Sequence, residues 1–212
     1  MTIGQHARTL AWNGPDPVRV EAASAVLGAE SLTARGASIT ADYTVDWVLQ
    51  TGPGWVTRRL SVRARGDGWA RSLELGRAEG GTWSAVRRPD GHPAEPMDVT
   101  GLQRALDCDL ALCPFTNTMP VLRHDLLAAA RNGRPAGVDL VMAWVAVPDL
   151  TLRVSRQRYT ASGPAPGGGA MIGFNSGDFQ ATIEFDGDGL VREYPGLASR
   201  LGGTSPAGRA LH

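Results

Sequence analysis

The chain reads as all-β, an antiparallel meander that builds a sandwich or barrel-like sheet with one or two short helices. Three observations predict this. Glycine (27) and proline (14) cut the 212 residues into short pieces. Most pieces alternate apolar and polar residues with the period of two that suits a strand buried on one face. Turn signals recur between them at the regular spacing of sandwiches and barrels.

Taken in order, His6–Trp12 is a strand ended by Asn13-Gly14-Pro15, and Val18–Leu27 and Gly36–Thr40 follow. Tyr43, Val45, Trp47 and Leu49 then share one strand face, opposite Thr44 and Asp46. Gly52-Pro53-Gly54 turns the chain into Trp55–Ala64, and Gly66-Asp67-Gly68 turns it again into Trp69–Arg77. Thr82–Arg87 is a short strand, Pro89–Pro96 a polar loop, and Leu102–Leu106 a helical turn. His124–Asn132 carries the strongest local helix signal, rich in Leu and Ala with Gly133 to cap it, while Val121–Arg123 before it reads as strand. Val138–Val147 is an apolar run that predicts a strand buried on both faces, and Leu150–Tyr159 alternates again. Gly163–Gly169 predicts a flexible hairpin tip. Met171–Asn175 and Phe179–Asp186 pair as strands, Asp186-Gly187-Asp188-Gly189 turns into Leu190–Tyr194, and Leu197–Leu201 reads as a last short helix. The count is about a dozen strands in two half-sheets, one before and one after the centre of the chain. We read residues 1–201 as one domain and 202–212 as a flexible tail.

Composition narrows the classes. Net charge is +0, so no broad field draws nucleic acid or an anionic membrane. Every basic residue is arginine, which excludes lysine Schiff-base and P-loop chemistry. The start lacks a signal-peptide pattern, no run of 18 apolar residues occurs, and two cysteines suit a reducing compartment. The expectation is a soluble, cytoplasmic protein.

At the centre lies Asp107–Arg123, DCDLALCPFTNTMPVLR, with both cysteines and with Pro114 and Pro120 bracketing Phe-Thr-Asn-Thr. Asn117 and its threonine neighbours hold irregular backbone through local hydrogen bonds, and each proline pushes its predecessor out of the helical region. The pattern predicts that no helix or central strand runs through. A structural corner is the plainer reading. Asp107 and Asp109 fall on one side if they lie on a strand, where they could act as acid and base or bind a divalent cation; a turn or strand-edge role is the plainer reading. Cys108 and Cys113 with His92 and His124 lack zinc-site spacing, so no metal and no cofactor is expected. Tyr43, Trp47, Trp55, Trp69, Trp83 and Trp144 either fill a core or line a site for acyl chains or sugar faces. Arg156 and Arg158 on one strand face need solvent or an anion between them.

The same motifs resemble the bacterial family named for glycolipid binding. They are Asp107, Asp109 and Leu110; Pro114, Thr116, Asn117, Thr118 and Pro120; Trp144, Val145 and Pro148; Gln157, Arg158 and Tyr159; and Tyr194, Pro195 and Gly196. They keep the family's order over nearly the whole chain. Where the family carries a basic pair after its Thr-Asn-Thr motif, this chain has Leu122-Arg123-His124. The resemblance implies a long antiparallel sheet folded on itself into a half-barrel, similar to the lipoprotein localisation factors, whose concave face holds acyl chains. It brings no catalytic residues.

Three functions stand as expectations. The first is a lipid or glycolipid ligand held in an apolar groove, with Trp47, Trp55, Trp69, Trp144 and Tyr159 as apolar contacts and Asn117, Arg123 and Arg158 near the polar head. The second is a structural or interaction module without ligand. The third is a hydrolase-type enzyme on a lipid or sugar, using Asp107 and Asp109.

Overall fold

The computed structural model describes residues 5–202. Its strands are β1 (His6–Pro15), β2 (Val18–Leu27), β3 (Leu32–Ile39), β4 (Tyr43–Thr51), β5 (Thr57–Gly66), β6 (Trp69–Arg77), β7 (Trp83–Pro89) and β8 (Glu95–Pro96). After β9 (Asp107–Leu110) come helices α1 (Thr118–Arg123) and α2 (Leu126–Arg131). The chain then returns through β10 (Gly137–Val145), β11 (Leu152–Ala165), β12 (Gly169–Ser176), β13 (Phe179–Phe185), β14 (Val191–Tyr194) and β15 (Ala198–Arg200).

All fifteen strands form one sheet in the order β8-β7-β6-β5-β4-β3-β2-β1-β15-β14-β13-β12-β11-β10-β9. The all-β meander is therefore observed, but the two halves are not separate sheets. They are joined where β1 pairs with β15, at Trp12↔Arg200 and Asn13↔Ser199. β9 runs parallel to β10, the one departure from antiparallel pairing among the described residues. The sheet is open but folded on itself. Thr57 at the start of β5 donates its N–H to the Leu106 carbonyl (3.0 Å), and its hydroxyl accepts from the Cys108 N–H (3.0 Å).

The period-two alternation places Leu10, Trp12, Ala23, Ala25, Trp47, Leu49, Leu60, Val62, Leu73 and Leu75 on the inner face of the first half. The concave side is filled rather than open. Every residue from Cys113 to Val121 is buried, and the Phe115 ring packs against Trp47 with centroids 5.5 Å apart. α2 covers the inner side of β11 and β12.

Several expectations are corrected. Asp107–Leu110 is a strand at the edge of the sheet, not a central one, and Thr118–Arg123 is a helix where Val121–Arg123 reads as strand. Pro114 opens a 3-10 turn (Pro114–Asn117), and Pro120 sits in the first helical turn, where its missing N–H costs nothing. The second helix begins at Leu126, because Asp125 adopts a left-handed backbone (φ +50°) that separates it from α1. Leu197–Leu201 is not a helix; Ala198–Arg200 is recruited as β15 because β1 would otherwise lack a partner on that side. β10 is buried on both faces only toward its end, at Met142, Ala143 and Val145, where β9 lies beside it. The tip expected over Gly163–Gly169 shrinks to a 3-10 turn at Pro166–Gly168. The tail expected over 202–212 lies, beyond Gly202, outside the described residues. No helix in the described residues is long and apolar enough to cross a membrane.

Candidate functional site

β9, β11 and the 3-10 turn at Pro114–Asn117 bring the motif residues together. Asp109 on β9 accepts a hydrogen bond from Gln157 Nε2 (2.6 Å) and another from Thr116 Oγ1 (2.9 Å). The Tyr159 hydroxyl donates to Asn117 Oδ1 (2.9 Å) and lies 3.2 Å from Gln157 Oε1. Asn117 in turn donates to the Pro114 carbonyl (3.2 Å). Gln157 and Tyr159 point inward because they alternate with the outward Arg156 and Arg158 on β11. Burial pushes the Asp109 carboxyl up, while Gln157 and Thr116 pull it back by bonding its charged form. Burial also raises the Tyr194 phenol, and the Asp109 charge adds to that.

This network forms one end of a cavity of about 360 Å³. Trp144, Phe174, Phe179, Tyr194, Leu112 and Leu197 wall it, and Asp109, Asn117, Ser155, Gln157 and Ser176 supply its polar groups. Phe174 lies 5.1 Å from the Tyr159 ring and 5.8 Å from Tyr194, both edge to face. A larger trough, about 650 Å³, crosses the outward face of β2–β6 over Ala22, Ser24, Ala37, Ser61 and Ser72. It is shallow and solvent-facing. The smaller cavity has the convergent buried polar groups and aromatic wall of a small-molecule site.

The sequence-predicted residues divide. Asn117 and Trp144 line the cavity, as do the motif residues Asp109, Gln157 and Tyr194. Tyr159, Thr116 and Thr118 are buried behind or beside it. Trp47 lies in the filled core, where its indole passes so close under Gly36 that a side chain at that position would collide with it. Trp55 sits in a 3-10 turn (Pro53–Trp55), and Trp69 stacks beneath the Arg71 guanidinium (4.4 Å). Arg158 is exposed and pairs with Asp139 across β10 (2.5 Å), which separates its charge from Arg156. Pro195 and Gly196 make the turn between β14 and β15.

Asp107 and Arg123 form their own cluster. Arg123 grips both oxygens of Asp107, one at 2.6 Å, and also donates to the Gly54 (2.8 Å) and Trp55 (3.1 Å) carbonyls. Burial pushes the Asp107 carboxyl up and the Arg123 guanidinium pulls it back. Asp107 and Asp109 thus belong to separate networks. Cys108 and Cys113 are both buried and free, and burial pushes the Cys108 thiol up to about 12. No group of three His, Cys, Asp or Glu among the described residues is placed to hold a metal.

Arg19 and Glu21 escaped the sequence reading. Both are buried on the inner face of β2. Arg19 donates to the carbonyls of Leu112 (2.7 Å) and Leu197 (2.8 Å), two residues of the cavity wall. Its path crosses Gly14, where any side chain would overlap the guanidinium. The signal was present: in VRVEAASAVL the alternation that buries Ala23, Ala25 and Leu27 also turns Arg19 and Glu21 inward.

A family model described as "Putative glycolipid-binding" matches residues 9–200. The chain is similar to a crystal structure of a DUF1089 family protein from Pseudomonas aeruginosa. The two share 24% identity, with a TM-score of 0.60, over 85% of this chain and 92% of the other. That likeness concerns the fold. No protein with a curated description matches.

Proposed function

We propose, from the premise that this chain belongs to the glycolipid-binding family, that the cavity at Asp109, Asn117 and Gln157 binds the head of an amphiphile. One observation carries the reading: motif residues from β9, β11, β14 and the Pro114–Asn117 turn meet at one cavity whose remaining wall, apart from Ser155 and Ser176, is apolar. A head with hydroxyl or amino groups finds acceptors at Asp109 and Asn117 and donors at Gln157, Ser155 and Ser176. Apolar parts cover Trp144, Phe179 and Leu197, and each roughly 100 Å² removed from water contributes about 2.5 kcal/mol. The core filled by Phe115 and Met119 directs a long acyl chain out through the open side of the cavity, not along the concave face. Two free cysteines suit binding in a cytoplasm.

Native mass spectrometry of protein from its own host, with organic extraction, tests this. A retained species in the lipid mass range is expected, and Gln157→Ala should lose it while remaining folded. A clean mass for the wild type, together with no heat of binding from any alkyl glycoside, sinks the proposal.

A further inference from the structure

The charge of the cavity selects among possible heads, a selection that rests on the binding reading of that cavity. Asp109 is the one carboxyl in the lining, and no arginine or histidine contributes to it among the described residues. Its two oxygens are held by neutral donors, Gln157 Nε2 and Thr116 Oγ1. Those bonds favour the ionised carboxylate, yet an ion taken out of water without a counter-charge is costly. The neighbouring Arg123 does not compensate it, because that guanidinium is committed to Asp107 and to the Gly54 and Trp55 carbonyls.

In the same lining, three rings from three successive strands stand together. Phe174, Phe179 and Tyr194 form a triangle with centroid separations of 6.1, 5.8 and 6.2 Å. Trp144 is a fourth ring in the lining, and the Arg153 guanidinium, which faces the same side of β11 as Ser155 and Gln157, lies 5.9 Å from its centroid. Ring faces draw positive charge through their quadrupole, most strongly where water is excluded. An anionic phosphate or carboxylate head would meet Asp109 with like charge and find no cationic side chain in the lining.

We infer that this cavity recognises an organic ammonium group, placed between the Asp109 carboxylate and the Phe174–Phe179–Tyr194 triangle, as the head of its ligand. The contact is an ion pair completed by cation–π attraction, with no covalent step. A neutral polyhydroxyl head would use the same hydrogen-bonding groups but leave the carboxylate uncompensated, which is why the ammonium is favoured.

Isothermal titration calorimetry with three probes of equal chain length, each below its micelle concentration, tests the assignment: octyltrimethylammonium, octyl glucoside and octyl phosphate. The ammonium probe is expected to bind at least tenfold more tightly than the glucoside, with the phosphate weakest. Asp109→Asn should abolish that preference, lowering ammonium binding at least tenfold. Should Asp109→Asn fail to fold, Phe179→Leu serves instead, since that residue is 46% exposed and outside the polar network. It should reduce ammonium binding several-fold more than glucoside binding. Glucoside binding as tight as ammonium, or a preference that survives both substitutions, overturns the ammonium inference and leaves the amphiphile reading standing. No binding of any probe overturns both.

Discussion

Glu21 is 2% exposed, one of its carboxyl oxygens meets no partner, and burial pushes its pKa up to about 7. The folded protein therefore keeps this proton over a range where the unfolded chain releases it. Stability falls as pH rises from about 4.5 to about 7, by about 3 kcal/mol, and is flat with respect to this group above that. Denaturant titrations across that window should show the decline, and Glu21→Gln should remove it. Arg123 carries a different prediction. Its partner Asp107 is fully buried, so Arg123→Ala strands a carboxylate and should cost about 3–5 kcal/mol. Thermal melts should move down by roughly 6–20 °C. A change within a degree would mean that Asp107 takes up a proton at little cost. These residues mark what a single sequence discloses. Inward Glu21 followed from the alternation of β2, but the partner of Arg123 did not, because Asp107 and the Gly54–Trp55 carbonyls meet it only through tertiary folding.

The helical insertion between β9 and β10 works as the core of the sheet. Phe115 is wholly buried against Trp47 from β4, and truncation to alanine leaves a void that neighbours tied into a sheet cannot close. Phe115→Ala should cost about 3–5 kcal/mol in chemical denaturation, whereas an exposed substitution such as Val18→Thr should change stability by under about 0.5 kcal/mol. The long strands were legible from their period of two and their glycine turns. The insertion was misread because proline signals a break only inside a helix; at the start of a turn it signals the opposite. β15, with three residues, is too short to carry a period, and its strand conformation comes from the waiting edge of β1. The site was half legible for a related reason. Asp109, Asn117 and Gln157 stood out as motif, but Phe174 and Phe179 became site residues only when β12 and β13 folded beside β11.

The whole molecule depends on the joint between its first and last strands. With two backbone pairings registered there, side chains supply much of the hold. Asp186, nearly buried, bonds Arg200 (2.6 Å) and Arg8 (3.2 Å) and accepts the N–H groups of Asp188 and Leu190. The Trp12 indole donates to the Val191 carbonyl (2.9 Å). Asp186→Ala leaves Arg200 buried without its anion, while Arg8 keeps Asp188. It should cost about 3–5 kcal/mol and raise hydrogen exchange first at β1, β14 and β15. Uniform exchange across the sheet would show that the joint is no weaker than the rest. The same joint sets a schedule on the ribosome. β1 leaves the exit tunnel well before its permanent neighbour β15, a delay of roughly ten to forty seconds at ordinary synthesis rates. Throughout that interval the nascent meander carries a bare flank, so the cell must shield one growing edge from every other strand until β15 arrives.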